Sequence, residues 1–214
     1  IRTELGADGV LLATLDQPGR AMNVLNEELA TPFAALVERL ETDPAVRGLI
    51  LASGKPDFLA GADVDRLWAI TSAQEAFDES MHFKRLLRRL ELAGKPVVAL
   101  IRGRCLGGGL EIALACHSRV LVDDGRARLG LPEVKLGLLP GGGGTQRLPR
   151  LVGMQQALQW MGEGTEVRAR EALAAGLVSE LVPDGAAGLE RARAWIAEHP
   201  QARQPWDTPR FRYP

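Results

Sequence analysis

Apolar residues follow two patterns along the chain, and each pattern predicts a different element. Short unbroken runs occur at Val10–Leu15 (VLLATL), 48–52 (GLILA), Val97–Ile101, 120–122 and 177–181. Closed off by Gly, Pro and Asp, these runs predict buried strands. Elsewhere apolar residues recur at three- and four-residue steps, as in Leu29, Phe33, Leu36, Val37 and Leu40, which predicts an amphipathic helix over 26–40. Asn26 is placed to cap that helix, with Glu27 and Glu28 favourable in its first turn. Further helices are predicted at 72–92, stopping at Gly94 before Pro96, and at 108–116, 155–161, 167–175 and 188–198. In the helix over 72–92, the cluster Leu86, Leu87, Leu90 and Leu92 reads as packing rather than as a ligand feature.

Strands that alternate with helices predict an α/β fold around a largely buried sheet. The 214 residues suit one domain with a substantial core. Its expected extent is 1–199. Residues 200–214 carry Pro200, Pro205, Pro209 and Pro214 among Arg203, Arg210 and Arg212, and read as a tail or the start of a linker. Because Ile1 is not a methionine, the numbering is expected to start inside a longer gene product.

Composition narrows the function classes. With 26 basic against 27 acidic residues the chain gives no overall electrostatic reason to bind nucleic acid or an anionic membrane, although 147–150 could form a local basic patch. No apolar run is long enough to span a bilayer. Cys105 and Cys116 lack CxxC spacing and neighbouring histidines, so they read as buried thiols of a reducing, cytoplasmic compartment rather than as zinc ligands or a disulfide. His82, His117 and His199 share no spacing with acids or cysteines and are expected to be structural or superficial.

Two glycine-rich segments carry the candidate chemistry. In the first, a buried strand runs into Gly107, Gly108 and Gly109 and a helix begins at once, leaving unpaired main-chain N–H groups that suit an anion. Glu111 then falls in the first helical turn. In the second, Glu133 follows Pro132, and the run Gly141 to Gly144 precedes a Thr145 able to cap the next helix. Neither run is a nucleotide loop, since no GK[ST] follows and the third glycine of a dinucleotide fingerprint is missing. GxSxG is absent as well. Taken singly, Glu111 reads as an acid at a helix start, Glu133 as a solvated loop acid, and Ala60 to Asp63 as an ordinary turn.

Taken together, GGGLEIALACHSRV, LGLPEVKLGLLPGGGGTQRLPRLVG and FLAGADV resemble the three hallmark segments of the crotonase (enoyl-CoA hydratase/isomerase) superfamily, over about 10–181. PGRAMNVLN and the detail around the second glycine run are most similar to the hydratase/isomerase half of multifunctional fatty-acid oxidation α-subunits. The resemblance implies a crotonase-like spiral of ββα units that adds water to trans-2-enoyl-CoA, with Δ3,Δ2-enoyl-CoA isomerisation as a companion activity. It implies that the N–H groups of Ala60 and Gly108 hold the thioester oxygen, that Glu111 activates water, and that Glu133 protonates the α-carbon. Ala60, Gly61, Ala62, Asp63, Gly107, Gly108, Pro132 and Gly141 would contact substrate. No metal or separate cofactor is implied, coenzyme A being part of the substrate, and NAD would be needed only by a following dehydrogenase part. A homo-oligomer or a thiolase subunit would be the protein partner of the longer chain. Two other readings stand beside this one: another acyl-CoA reaction on the same fold, and a non-catalytic binding module whose glycines serve packing.

Overall fold

The computed structural model describes residues 1–214. Its main sheet has six strands in the order β1 (Arg2–Leu5), β2 (Val10–Leu15), β3 (Gly48–Ser53), β4 (Val97–Ile101), β6 (Ser118–Val122) and β9 (Glu180–Val182), parallel except for the β1–β2 hairpin. A small second sheet joins β5 (Arg104–Leu106), β7 (Arg128–Gly130) and β8 (Glu166–Val167). From β4 the chain steps to β5 and then into helix α4 (Gly108–Ala115); from β6 it steps to β7 and then through a 3₁₀ turn (Pro132–Leu136) to helix α5 (Gly144–Val152). These are successive strand–strand–helix units, one strand in each sheet.

Both faces of the main sheet are covered, and the strand pleat divides its residues between them. Leu49, Leu51, Val97, Ala99, Ile101 and Leu121 face the larger core, which they share with α1 (Glu27–Thr42), α3 (Ala73–Leu92) and α4. Ile50, Val98, Leu100, Val120 and Val122 face α8 (Gly185–Glu198) through Ala192 and Ile196. This two-sided burial is the reason the strands read as unbroken apolar runs. The five apolar residues predicted for the α1 stripe are all buried, and Asn26 caps the helix by accepting from the Leu29 amide.

The structure corrects several boundaries. The irregular stretch after β3 ends in a short helix, α2 (Val64–Ala69), capped by Asp63. Helix α5 opens inside the glycine run rather than after a Thr145 cap. Its cap position is Gly143, and Thr145 makes no capping bond. After α6 (Met154–Glu163), Val167 lies in β8, so the helix expected over 167–175 is only α7 (Ala169–Ala174), and the strand expected over 177–181 lies at β9. Leu86, Leu87 and Leu90 are core residues as expected, whereas Leu92 is exposed.

The predicted patch at 147–150 does not form: Arg147 is buried in an ion pair with Glu91, and Arg150 lies over the Tyr213 ring. Cys105 and Cys116 are both buried thiols, and burial pushes the Cys116 thiol up to about 12. His117 is structural: its Nδ1 accepts from the Val97 amide and its Nε2 meets the Glu91 carbonyl. Residues 200–214 lie along the body. Gln204 is fully buried and donates to the Ala115 and Cys116 carbonyls at the end of α4, and Asp207 pairs with Arg88. No helix is long and apolar enough to cross a membrane.

Candidate active site

Three segments converge between α4, the 3₁₀ turn and the loop before α2. The first comes off β5, whose Leu106 donates to the Leu59 carbonyl, so that Leu59 to Asp63 and Gly107 to Gly109 run side by side. The approach is close: a Cβ on Gly61 would sit 3.3 Å from the Leu106 carbonyl oxygen, and one on Gly109 would fall 2.5 Å from the Leu59 oxygen. Gly107 turns the chain at φ +52, a conformation a side chain rarely adopts, and α4 starts at the next residue.

This geometry corrects one of the two expected anion donors. The Ala60 N–H is engaged by the Asn23 carbonyl at 3.0 Å and points into the framework. Asn23 is itself fully buried, with its side-chain amide on the carbonyls of Leu15 and Phe58 and on the Ser53 hydroxyl, so this corner is rigid. The N–H of Ala62, two residues on, donates to nothing, while its neighbours Gly61 and Asp63 are strapped to Leu25. Gly108, at the first position of α4, likewise has an N–H with no helical acceptor. The two free amides are neighbours, since a Cβ on Gly108 would lie 4.0 Å from the Ala62 nitrogen. Ala60 lies in the expected segment with its amide already engaged; counting within AGAD alone gives no signal of which amide the framework has taken.

The two acids have opposite surroundings. Glu111, in the first turn of α4, is 2% exposed, and its Oε1 accepts the N–H groups of Gly142 and Gly144, each at 2.7 Å. Burial raises its pKa, and those two amides, followed by the charges of Arg147 and Lys84, oppose the rise. Glu133 follows Pro132 in the 3₁₀ turn, where Gly137 closes the turn in the left-handed region. Its Oε1 comes within 3.2 Å of where a Gly107 Cβ would stand, and its Oε2 is buried without a partner. Burial lifts its pKa to about 7, with repulsion from Glu111 adding to the rise and its own main-chain amide opposing it. Of the other expected contacts, Gly61, Ala62, Asp63, Gly107 and Gly108 line the first segment. Gly141 is exposed at the mouth of the second glycine run, where the Ser80 hydroxyl holds its carbonyl at 2.8 Å. Asp63 caps α2 and pairs with Arg20. Two surface concavities elsewhere, one at Gly153 and Pro214 and one at Arg128 and Arg168, contain none of these residues.

Free amides beside two carboxyls whose protonation is shifted by their surroundings form the arrangement of a general acid–base enzyme working next to a carbonyl oxygen. Comparison with known proteins names the group. The family described as enoyl-CoA hydratase/isomerase matches residues 6–205, and the chain belongs to it. It is 50% identical over 181 residues to the fatty acid oxidation complex subunit alpha of Idiomarina loihiensis, covering 84% of this chain and 26% of that protein. The chain thus spans about a quarter of the length of the curated relatives it matches. Among solved structures, an enoyl-CoA hydratase of Geobacillus kaustophilus superposes with TM-score 0.82 at 32% identity, over 91% of this chain and 72% of that one. One from Thermoplasma volcanium gives 0.84 at 30%, over 92% and 77%. The expected crotonase-like fold is therefore the fold observed, and the domain calls for no cofactor.

Proposed function

We propose that this chain hydrates trans-2-enoyl-CoA thioesters, with the thioester oxygen on the N–H groups of Ala62 and Gly108, Glu111 as base and Glu133 as acid. Water adds at C3 as Glu111 takes its proton, negative charge gathers on the thioester oxygen, and Glu133 delivers a proton to C2. A preorganised N–H donor on such an oxyanion is worth about 10²–10³ in rate, and each acid–base transfer about 10²–10⁴. The observation that carries the reading is the unpartnered, buried Oε2 of Glu133 beside the Gly107 turn. A carboxyl with a pKa of about 7 is still substantially protonated at neutral pH and has a proton to give. Glu111 is supported as its counterpart because two N–H donors stabilise its ionised form. Exposed apolar residues next to both segments, Val64 and Trp68 on α2 and Leu136 and Leu139 after Glu133, suit an alkyl chain.

The test is hydration of crotonyl-CoA by Glu111→Gln and Glu133→Gln. Each should lose about 10²-fold or more in kcat while still binding a non-reactive acyl-CoA. Full activity in both variants removes the mechanism. Isomerisation of a 3-enoyl-CoA needs only Glu133 to carry a proton between C4 and C2, so activity of that kind surviving in Glu111→Gln would identify the companion reaction. Because the relatives are longer, we place the domain at the head of a multifunctional β-oxidation protein of the bacterial cytoplasm. Its NAD chemistry would belong to a dehydrogenase part, and a thiolase subunit or a second copy of the chain would be its partner.

A further inference from the structure

Behind Glu111 lies a charged chain that the reaction above does not use. Glu91, near the end of α3, has a side chain only 2% exposed. Its Oε1 accepts Arg147 Nε at 2.7 Å, and its Oε2 accepts Arg88 Nη1 at 2.9 Å. Arg147, on α5, turns its Nη1 to the Gly142 carbonyl at 2.9 Å, and its own amide donates to the Gly143 carbonyl at 3.0 Å. Gly143 has φ +104, and a Cβ there would fall onto the guanidinium. The two carbonyls that Arg147 holds thus belong to Gly142 and Gly143, the residues between and beside the amides that grip Glu111.

We propose that Arg147, anchored by Glu91, is a positioning residue: its guanidinium fixes the Gly142–Gly143 peptide and so aims the Gly142 and Gly144 N–H groups at a single oxygen of Glu111. This rests on the reading of Glu111 as the base. The physical need is specific. Four consecutive glycines have the widest conformational freedom a chain can have, and nothing in their own chemistry keeps two N–H groups convergent. Ser80 secures the near end of the run at Gly141, and Arg147 secures the middle. A planar fork whose two edges meet different acceptors restrains orientation in a way a point charge does not. Glu91 anchors the fork from the other side, and its second oxygen is in turn held by Arg88, which is shared with Asp207.

The charged groups facing Glu111 are Arg147 from α5 and Lys84 from α3, both favouring the carboxylate, and Glu133 from the 3₁₀ turn; α4 itself carries no other titratable side chain. If the clamp opens, only the Lys84 charge is left to oppose the burial of Glu111, and its pKa rises. In Arg147→Met, kcat for crotonyl-CoA should fall about 10- to 100-fold, the cost of a displaced catalytic group, with KM nearly unchanged. The acidic limb of kcat/KM should move up by about one pH unit. Arg147→Lys retains the charge without the fork and should recover part of the pH shift but little of kcat, and Glu91→Gln should fall between wild type and Arg147→Met.

An activity-independent readout is the titration of the Glu111 carboxyl by carbon-13 NMR, assigned by its loss in Glu111→Gln. It should titrate higher in Arg147→Met than in wild type. An unchanged titration and kcat in a folded Arg147→Met protein, or complete rescue of both by lysine, overturns the proposal. Should Arg147→Met not fold, unchanged titration and kcat in Glu91→Gln and Arg147→Lys overturn it equally. Wild-type activity indifferent to Glu111→Gln instead refutes the assignment of the base, and the NMR titration still reports on the clamp.

Discussion

Two glycine-rich segments meet at the site, and they use their main-chain amides in opposite ways. At Gly107 to Gly109 the glycines let two strands and a helix start crowd together, and the Gly108 N–H is left free. At Gly141 to Gly144 the N–H groups of Gly142 and Gly144 are fully occupied by one carboxylate oxygen. The first segment presents donors to whatever enters the cleft, whereas the second consumes its donors to hold a side chain. Glycine content therefore identifies neither a binding loop nor a support loop; what distinguishes them is whether an internal acceptor lies within reach.

The sharpest way to break this contrast is to delete a single N–H. Replacing the alanine amide by the corresponding ester at residue 62 should lower kcat for crotonyl-CoA by about 10²–10³-fold with little change in stability. The same replacement at residue 60 removes the bond to Asn23 and should cost about 1 kcal/mol of stability with far less effect on kcat, as a denaturation curve beside the kinetics would show. A reversed result would return the donor role to Ala60.

Crowding the support loop comes next. A Cβ on Gly142 would meet Glu111 Oε2 at 2.7 Å and the Phe83 ring, so Gly142→Ala should destabilise the fold by about 1–3 kcal/mol and cut kcat in step. Gly108→Ala would meet the movable end of Leu25 at 3.0 Å and nothing else nearer than 4.0 Å, and should cost less stability. Equal losses in the two variants would erase the distinction between the loops.

The smallest effect concerns Glu133. Its carboxyl titrates near 4.5 unfolded and near 7 folded, so the stability it lends is present in full below pH 4.5 and is lost as pH rises through 7. Glu133→Gln, which cannot ionise, should match the wild type near pH 4.5 and exceed it at pH 8 by about 2 kcal/mol, allowing for solvent at the half-buried side chain. Urea melts at the two pH values measure the difference. A constant offset would mean that the carboxyl is not held against ionisation.

The strands and the longer helices were legible in the sequence because two-sided burial and a regular apolar stripe leave their period in the residues. Hairpin strand β1 was not, since all four of its residues are exposed and it is held by its ladder to β2 alone. The second sheet was hidden by strands of three, three and two residues, too short for any period, and the start of α5 was hidden among glycines. Glu111 and Glu133 could be picked out from motif position. The free amide at residue 62 and the ion pair from Glu91 to Arg147 could not, because each depends on a partner far away in sequence: Asn23 taking the Ala60 amide, and a side chain of α3 reaching one of α5.

The way residues 204–207 are held bears on where this domain can be cut. Trimming at residue 199, where the proline-rich composition begins, would strip two carbonyls at the far end of the Glu111 helix of the Gln204 amide and leave Arg88 one carboxylate short. An expression boundary or a fusion joint therefore belongs downstream of Asp207, so that both the Gln204 bonds to the end of α4 and the Asp207 pair with Arg88 are kept.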